Sequence, residues 1–506
     1  MVNFFRKYHK WLGLFFTLVF ILFAISGIVL NHRELVSSVD VNRNWLPENY
    51  RYNEWNNAAV AGTCHLEADS VLIYGNIGVW LTDERGEVFA PFNAGFDDGV
   101  DNHKVSKVLK MNDGRLYAGT YFGLFQFHFD KQAWFPVEIP VNEKRISDII
   151  SRGDSLLVLT RSYLLVSEKN HEPFKKVQLP SYAGYDNKAD LFKTLWIIHS
   201  GELLGLPGKL LVDAIGLIFI FLTLTGLIYW MVPFIKKHRK THQAKKQDTL
   251  LRLRRFSLKW HNKIGWTTLV LLVITSVTGM FLRPPLLAAV FNVRVGKIPY
   301  SMLDTPNPWH DKLRRIVYDQ EHNLYYVATL EGIFIADAAL QNELQPISGQ
   351  PPVSVMGVNV FELVDPHTLL VGSFEGLFLW DVFNGYQADY IKKAPVEKKA
   401  PGGPPLGEFL VTAYTNDFNR GELVFDFDKG VMNLSNSANS LAMPESIRTL
   451  PMSLWNVALE VHTARIYQPL VGSFYILIVP LTGLVSLFIL ISGFVVWYVR
   501  FRKHGR

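Results

Sequence analysis

The sequence predicts a membrane protein with four transmembrane α-helices and an all-β head outside the cytoplasm. Three observations lead to this fold class. The 506-residue chain is 49% hydrophobic, which is too apolar for an ordinary soluble protein, yet long polar stretches separate its apolar runs. Four of those runs approach the roughly 20 apolar residues that a helix needs to cross a bilayer. Two long segments between them carry glycine-punctuated strand patterns that recur every 40 to 45 residues.

The apolar runs divide the chain into a duplicated unit of helix, outer segment and helix. The runs cover residues 11–30, 210–232, 266–282 and 470–499. We predict transmembrane helix 1 (1–32), the first half of an extracytoplasmic β domain (33–194), transmembrane helix 2 (195–233), a basic cytoplasmic loop (234–258), transmembrane helix 3 (259–283), the second half of the β domain (284–453), transmembrane helix 4 (454–500) and a cytoplasmic tail (501–506).

Basic residues mark one side of the membrane. Lysine and arginine cluster before the first run, throughout the loop at 234–258 and after the fourth run. The positive-inside rule places these three regions in the cytoplasm, with both termini inside and the two long segments outside. We therefore expect a multi-pass protein of the bacterial cytoplasmic (inner) membrane. The basic loop then fixes orientation in the lipid bilayer, and nucleic acid is not an expected partner.

The two outer segments contain repeated strand pairs. Patterns of a β-run, a turn with glycine and a second apolar run begin at Leu72 and Leu116 in the first segment and at Leu324 and Leu369 in the second, with weaker copies at 156–166 and 423–434. Such spacing is typical of propeller blades. Because a propeller has about 4–8 blades, we expect both segments to form one propeller-like head of six. Two separate small β domains are the alternative. The repeats resemble those of two-component-regulator propeller sensors.

The first and third helices carry histidine and glycine at the same spacing. His9 precedes Gly27 by eighteen residues, and His261 precedes Gly279 by eighteen. By the predicted topology, both histidines lie at the cytoplasmic face and both glycines near the outer face. His32 places another histidine at the outer end of helix 1, although its counterpart in the second half is Pro284.

The second and fourth helices form a related pair. Gly226 and Gly493 each follow another glycine by ten residues and come directly after a threonine or serine, while His199 and His462 lie upstream, at or above the outer face. Each membrane face thus has two histidines from one helix pair and two Ser/Thr-Gly steps from the other.

These patterns suit a flat macrocycle, since imidazoles are axial ligands of haem iron and glycines allow close approach. The ordinary alternative is that the histidines are interfacial polar residues and the glycines serve helix packing. The single cysteine, Cys64, excludes a Cys-x-x-Cys-His attachment, so any haem would be held without a covalent bond.

The helix motifs resemble those of the PepSY-associated transmembrane helix family. They are Tyr8-His9-Lys10-Trp11-Leu12-Gly13, Leu195-Trp196 with His199, Leu224-Thr225-Gly226, Lys259-Trp260-His261, and Leu454-Trp455 with His462 and Ser492-Gly493. The family includes inner-membrane haem proteins implicated in reducing ferric siderophores and related iron substrates in the periplasm. The resemblance implies b-type haem on His9, His261, His199 and His462, and electron passage across the membrane. The outer segments lack the strand-helix-strand pattern of a PepSY module.

Two functional hypotheses follow. The first is a transmembrane oxidoreductase with two haem b groups, which takes electrons from an unidentified cytoplasmic donor or quinol and passes them to an extracytoplasmic acceptor such as a ferric siderophore. The second is a non-catalytic sensor or assembly protein whose head binds a ligand or partner while the helices anchor it. The sequence contains no Gly-x-Gly-x-x-Gly or Walker motif opening a helix, and it nominates no catalytic residue.

Overall fold

A computed structural model of the chain describes residues 2–67, 69–168, 173–238, 244–396, 406–436 and 440–499. The chain divides into two compact units. The helical unit comprises Met1–Val36, Asn187–Asp304 and Leu454–Arg506, and the β unit comprises Ser37–Asp186 and Thr305–Ser453. The predicted tail at 501–506 and part of the basic loop, 239–243, lie outside the described residues.

The helices follow the duplicated pattern of the sequence. In chain order they are α1 (Val2–Phe15), α2 (Thr17–Asn31), α3 (Arg33–Val36), α4 (Leu191–Ser200), α5 (Gly205–His238), α6 (Ala244–Thr267), α7 (Leu269–Met280), α8 (Glu445–Arg448), α9 (Leu454–His462), α10 (Gln468–Val471) and α11 (Tyr475–Trp497).

Two to four membrane spans arise from these helices in the described part of the chain. The stretches Glu202–Lys236 and Arg465–Trp497 are long and apolar enough to cross a bilayer alone. The other two candidates are bent pairs: α1 and α2 meet at 60°, and the Asp248–Thr267 part of α6 meets α7 at 68°. The protein is therefore a membrane protein, with four spans if each bent pair crosses as one.

The two bends occur at equivalent positions, seven residues after His9 and seven after His261. Next to the first bend, the Thr17 hydroxyl donates to the Gly13 carbonyl at 2.8 Å, and at the second the Thr268 hydroxyl donates to the Ile264 carbonyl at 2.8 Å. Threonine hydroxyls that bond the carbonyl four residues earlier often bend helices. The bends are thus part of the duplication.

The second and fourth spans are preceded by separate short helices. Helix α4 ends at Gly201, which is left-handed at φ 80°, and α9 ends two residues before Ala464, which is left-handed at φ 61°. His199 and His462 therefore lie near the ends of α4 and α9 and not on the long helices that follow.

The strands are short and mostly antiparallel neighbours in sequence. They are β1 (Asp40–Val41), β2 (Val60–Glu67), β3 (Ser70–Gly75), β4 (Gly78–Asp83), β5 (Phe89–Pro91), β6 (Val105–Lys110), β7 (Leu116–Thr120), β8 (Leu124–His128), β9 (Ala133–Val137), β10 (Ile146–Arg152), β11 (Ser155–Thr160), β12 (Leu164–Ser167), β13 (Lys175–Val177), β14 (Ala189–Asp190), β15 (Arg294–Val295), β16 (Leu313–Asp319), β17 (Leu324–Thr329), β18 (Gly332–Asp337), β19 (Gln345–Pro346), β20 (Val360–Asp365), β21 (Thr368–Ser373), β22 (Gly376–Asp381), β23 (Gln387–Asp389), β24 (Ala394–Pro395), β25 (Val411–Thr415), β26 (Leu423–Asp426), β27 (Gly430–Asn433) and β28 (Met452–Ser453).

Six of the sheets described in the β unit have three to five antiparallel strands, and each outer segment contributes three of them. They are β2–β5, β6–β9, β10–β13, β16–β19, β20–β24 and β25–β27. The first strand of each sheet lies beside the first strand of the next, and β25 lies beside β2. Because both segments fall in one compact unit, the alternative of two separate β domains does not hold.

A hydroxyl closes the central hairpin of several sheets. The Thr120 hydroxyl accepts from the Phe122 N–H at 3.0 Å and donates to the Gly123 carbonyl at 3.0 Å. Thr329 and Ser373 occupy the equivalent positions and accept from the N–H two residues on. Hydroxyl turns of this kind fix the turn backbone, which explains the repeated Ser/Thr-x-x-Gly signal between the apolar runs.

Two predicted boundaries of the β domain are wrong. Residues 187–194, at the end of its predicted first half, and residues 284–304, at the start of its second, belong to the helical unit. The second stretch contains the short 3-10 helix Leu286–Ala289 and β15, which pairs with β14, the strand immediately before α4. Pairing between distant short strands leaves little trace in the sequence, which is why the pattern did not indicate it.

Candidate cofactor site

The four histidines selected from the sequence lie in two pairs within the helical unit. The ring centroids of His9 on α1 and His261 on α6 are 6.1 Å apart at an interplanar angle of 89°. Those of His199 on α4 and His462 on α9 are 6.0 Å apart at 47°. Each pair combines one histidine from each half of the chain. The sequence left the pairing open, and these contacts define it. We call His9 and His261 the inner pair and His199 and His462 the outer pair, after the membrane faces predicted for them.

All four imidazoles are held in the same way. Each Nδ1 lies 2.9–3.0 Å from a backbone carbonyl and 3.1–3.3 Å from a hydroxyl. The partners are Ile489 and Ser492 for His9, Leu222 and Thr225 for His261, Thr275 and Thr278 for His199, and Phe23 and Ser26 for His462. A carbonyl oxygen can only accept, so each Nδ1 carries the proton and each Nε2 has a free lone pair.

The Nε2 atoms of these four histidines make no hydrogen bond to any residue that the structure describes. Metal-binding histidines in proteins are commonly oriented by a hydrogen bond from the other ring nitrogen to a backbone carbonyl. The four rings therefore have the proton on Nδ1 and the hydrogen bond from that nitrogen that are common in metal-binding histidines, with Nε2 left to bind.

A glycine faces every ring. An added Cβ would lie 2.6 Å from Cε1 of His199 at Gly279, 2.8 Å from Cε1 of His9 at Gly493, 3.2 Å from Cε1 of His462 at Gly27 and 3.4 Å from Cε1 of His261 at Gly226. The predicted glycines thus receive the edges of the imidazoles. This differs from the expectation that they make room for a macrocycle directly.

These contacts define a recurring local structure, which we call the docking step: a carbonyl at position i−4, a hydroxyl at i−1 and a glycine at i. The hydroxyls of Ser26, Thr225, Thr278 and Ser492 are all buried and donate to carbonyls of their own helices. Their oxygens remain able to accept from Nδ1. The Ser/Thr-Gly steps in the sequence are therefore complete binding units for one imidazole each.

The spacing of each pair would allow one metal ion to be held between its two rings. With metal–imidazole bonds of about 2.0 Å and each ring centroid about 1.1 Å behind its bonding nitrogen, two imidazoles on opposite sides of an ion would have centroids about 6.2 Å apart. The observed separations are 6.1 and 6.0 Å. There is also space one turn along the inner helices: an added Cβ at Gly13 would meet no atom within 4 Å, and one at Gly265 would meet only a Leu222 methyl at 3.8 Å. The residues present fit haem.

His32 does not join either pair. Its Nε2 lies 2.6 Å from a carboxylate oxygen of Asp213, and the side chain of Asn31 donates to the other oxygen at 3.0 Å. From the sequence alone, the expected partner of Asp213 is Lys209, one helical turn away. That expectation is wrong, because the Lys209 ammonium lies 3.2 Å from a carboxylate oxygen of Glu202 instead. Proximity in sequence favoured Lys209, but the partner of Asp213 in the structure is His32, which directly follows α2 and is distant in sequence.

The β unit contains a cavity of about 190 Å³ where the first strands of the sheets meet. Its charged lining residues come from different sheets and are Lys107, Asp148, Arg315, Glu362 and Asp417. Burial raises the pKa of the Glu362 carboxyl, while Lys107 and Arg315 act in the opposite direction. Sequence reasoning missed this cavity, although a charged residue within the first strand of several repeats was a usable signal.

Comparisons with known proteins agree with the helical pattern. The family model described as PepSY-associated TM region matches residues 2–233 and, a second time, residues 232–500. Among curated proteins, none matches the sequence significantly.

Similar solved structures include the extracellular domain of a proposed hybrid two component system from B. thetaiotaomicron, with 9% identity, a TM-score of 0.36, and coverage of 76% of this chain and 33% of that one. The chain thus spans about a third of that protein's length. A protein of unknown function from Bacteroides thetaiotaomicron VPI-5482 has 10% identity, a TM-score of 0.35, and coverage of 78% and 74%. These likenesses are too weak to assign a function.

Proposed function

Because the chain belongs to the PepSY-associated transmembrane family, whose model matches both of its halves, we propose that it is a haem-b transmembrane electron-transfer protein. It takes electrons from the cytoplasmic side or from quinol and delivers them to an extracytoplasmic acceptor. Ferric siderophores or related iron compounds are the proposed acceptor class, by resemblance to the family. The observation that carries the proposal is the set of four imidazoles with free Nε2 atoms, arranged as two pairs.

The residues have distinct roles in this proposal. His9 and His261 would hold one haem b, and His199 and His462 a second. The docking steps keep each ring in one tautomer, because the carbonyl and the hydroxyl both stabilise a proton on Nδ1. The glycines allow the rings to approach the opposing helix, as small residues do in membrane bundles. Bound haem supplies one-electron chemistry, and the protein supplies ligands, burial and orientation.

The spacing of the two pairs along the spans supports transfer across a membrane. On the first span, His9 of the inner pair and Gly27, which contacts His462 of the outer pair, are eighteen residues apart. This is about 27 Å measured along the helices at about 1.5 Å per residue, and less from end to end because α1 and α2 meet at 60°. The two pairs would thus lie near opposite sides of a bilayer core of about 30 Å. The same spacing separates His261 from Gly279. With the basic flanks inside, the outer pair faces the acceptor side.

We further infer that the six sheets of the β unit form a six-bladed propeller, which would serve as the extracytoplasmic docking head. Support comes from the contacts between first strands, which run in order around all six sheets. Side chains link several neighbours: Ser106 donates to the Ile146 carbonyl at 2.8 Å, and Asn359 donates to the Val411 carbonyl at 2.8 Å. The charged cavity lies where these strands meet.

The decisive measurement is a visible spectrum of the detergent-purified chain, oxidised and then reduced with dithionite, with a pyridine haemochrome count. We expect about two haem b per chain with the sharp reduced bands of six-coordinate iron. His261→Ala should remove the inner haem and His199→Ala the outer one. As a matched control, His128→Ala should leave the haem content unchanged, since His128 lies in the β unit, where its ring packs at a tilt against Phe135 with centroids 4.8 Å apart. Unchanged haem in His261→Ala would overturn the inner assignment.

The charged cavity favours the second candidate function, a membrane-anchored sensor or assembly protein whose head binds a polar ligand. In that case the chain would contain no haem even when expressed with ample haem supply. The four histidines could then be replaced without loss of function, whereas Arg315→Ala in the cavity would abolish ligand binding. The same spectrum therefore separates the two functions.

A further inference from the structure

Three metal-ligating side chains converge in the β unit, far along the sequence from the membrane helices. Asp319 ends β16, His322 lies in the turn before β17, and His367 lies in the turn between β20 and β21. Each provides one ligand atom, and these atoms all lie within 4.8 Å of one another. The group thus joins the turns of two neighbouring sheets.

Part of this arrangement is ordinary turn chemistry. One Asp319 oxygen accepts from the backbone N–H groups of Glu321 and His322 at 3.0 and 3.1 Å, and the other lies 2.8 Å from His322 Nδ1. Asp381 has the same turn, in which Asn384 Nδ2 donates to the carboxylate at 2.7 Å. The Asp319–His322 contact alone therefore does not require a ligand.

His367 is not explained by the turn. Its ring centroid lies only 3.7 Å from that of His322, and Phe383 packs edge-on against it at 3.8 Å. His367 Nδ1 is buried and has no hydrogen-bond partner among the described residues. A buried polar atom without a hydrogen bond is unfavourable. A cation bound by this nitrogen would remove that cost.

We propose that Asp319, His322 and His367 form a binding site for a divalent transition-metal ion of the zinc type. Two imidazoles and one carboxylate are a common zinc donor set, with a further position left for water. The two nitrogens favour such ions over calcium or magnesium, which take oxygen ligands. Asp319 is held by its turn with a side chain only 1% exposed, while the His322 side chain is 27% exposed.

Both the ligand atoms and the rings would move on binding. Zinc bonds of about 2.0–2.1 Å place tetrahedral ligands roughly 3.3 Å apart, so the ligand atoms, now within 4.8 Å of one another, would close by up to about 1.5 Å. The same bonds would place the two imidazole centroids about 5 Å apart, so His322 would turn away from His367, whose centroid is now 3.7 Å from its own. The bound ion would then fasten the sheet containing β16 to the sheet containing β20.

The test uses the full chain in detergent, purified without a polyhistidine tag, stripped by a chelator and titrated with Zn²⁺ in a calorimeter. His322→Asn is the key variant, because Asn384 shows that asparagine keeps the same turn closed. His367→Ala removes the other nitrogen, and His128→Ala is the matched control. We expect the wild type and the control to bind one zinc equivalent more than either variant. If a variant still binds that equivalent, its affinity should be reduced by more than the about 10–100-fold that is lost when a residue that only orients a metal ligand is replaced.

Melting curves distinguish lost binding from lost folding. In the presence of chelator, His322→Asn should melt with the wild type, and added Zn²⁺ should raise the melting temperature of the wild type alone. Equal zinc binding in the wild type, His322→Asn and His367→Ala would overturn the proposal. Binding of Ca²⁺ with the affinity of Zn²⁺ would also overturn it. Neither result depends on the haem content of the membrane helices.

Discussion

Gly279→Ala is the sharpest perturbation of the outer histidine pair, because Gly279 makes the closest approach of any glycine to an imidazole in the two pairs. An added Cβ would lie 2.6 Å from Cε1 of His199, whereas at Gly226 the same construction gives an ordinary contact of 3.4 Å to His261. To restore 3.4 Å, the His199 ring must retreat by the difference, about 0.8 Å. The two alanine variants therefore form a matched pair with different expected outcomes.

The magnitude follows from the contacts of His199. A retreat of about 0.8 Å would stretch its 3.0 Å hydrogen bond to the Thr275 carbonyl beyond bonding distance. The lost bond costs about 0.5–1.5 kcal/mol and overpacking about 1–3 kcal/mol, against about 0.8–1.0 kcal/mol gained in helix propensity. The outer site should thus weaken by about 1–3 kcal/mol, or roughly 5- to 150-fold in haem affinity. Gly226→Ala should gain the same helix propensity without overpacking, because its added Cβ would make an ordinary contact at 3.4 Å. The inner pair in that variant should therefore retain its haem.

Haemochrome counts and redox titrations of both variants provide the assay. Gly279→Ala should lose up to one of two haems, or show one altered redox component, while Gly226→Ala resembles the wild type. Full haem content with unchanged potentials in Gly279→Ala would refute the idea that glycine packing positions the ring. Equal haem loss in both variants would refute the ranking by distance.

Three further predictions concern single residues. Replacing His32 by asparagine should leave the haem count unchanged, because its Nε2 is bonded to Asp213 at 2.6 Å, whereas His462→Ala should lower the count. Lys104→Met should destabilise the β unit by about 3–5 kcal/mol in denaturant titration, since it removes the cation 2.7 Å from fully buried Asp101. Glu362→Gln should alter the pH dependence of melting. The folded pKa of Glu362 is raised above its ordinary 4.5, so the wild type loses stability as the pH rises from about 4.5 through the folded value, and the advantage of the variant should widen over that window.

The sequence identified the histidines and glycines that come together in the structure, because equal spacing in a duplicated chain is a strong signal. His9 and Gly27, and their counterparts His261 and Gly279, are separated by eighteen residues, and all four contribute to the two histidine pairs. The pairing could not be predicted, since it depends on which helices lie side by side. Asp213 shows the limit of rules based on nearby residues. Residues one helical turn apart are expected to interact, which favoured Lys209, but the partner in the structure is His32, directly after α2.

The head illustrates a signal that was present but not used. His322 and His367 are 45 residues apart, the same spacing as Leu324 and Leu369, which defined the repeat. Both histidines therefore come two residues before equivalent leucines, in the turns that precede β17 and β21 of adjacent sheets. A chemically unusual residue repeated at the period of the fold predicts a contact between neighbouring repeats, because equivalent positions on adjacent sheets lie at the same edge. Asp319 then completes the group through its own turn.

The duplication also explains why both halves are needed. His9 contacts Gly493 and His462 contacts Gly27, so each of these contacts joins the first half to the second. The same is true of the remaining two histidines, and each imidazole pair also combines the two halves. A single half would carry two histidines facing no docking step and two docking steps facing no histidine. Binding by an isolated half would thus require it to dimerise with a second copy, and fusing two copies in one chain makes the complete arrangement intramolecular.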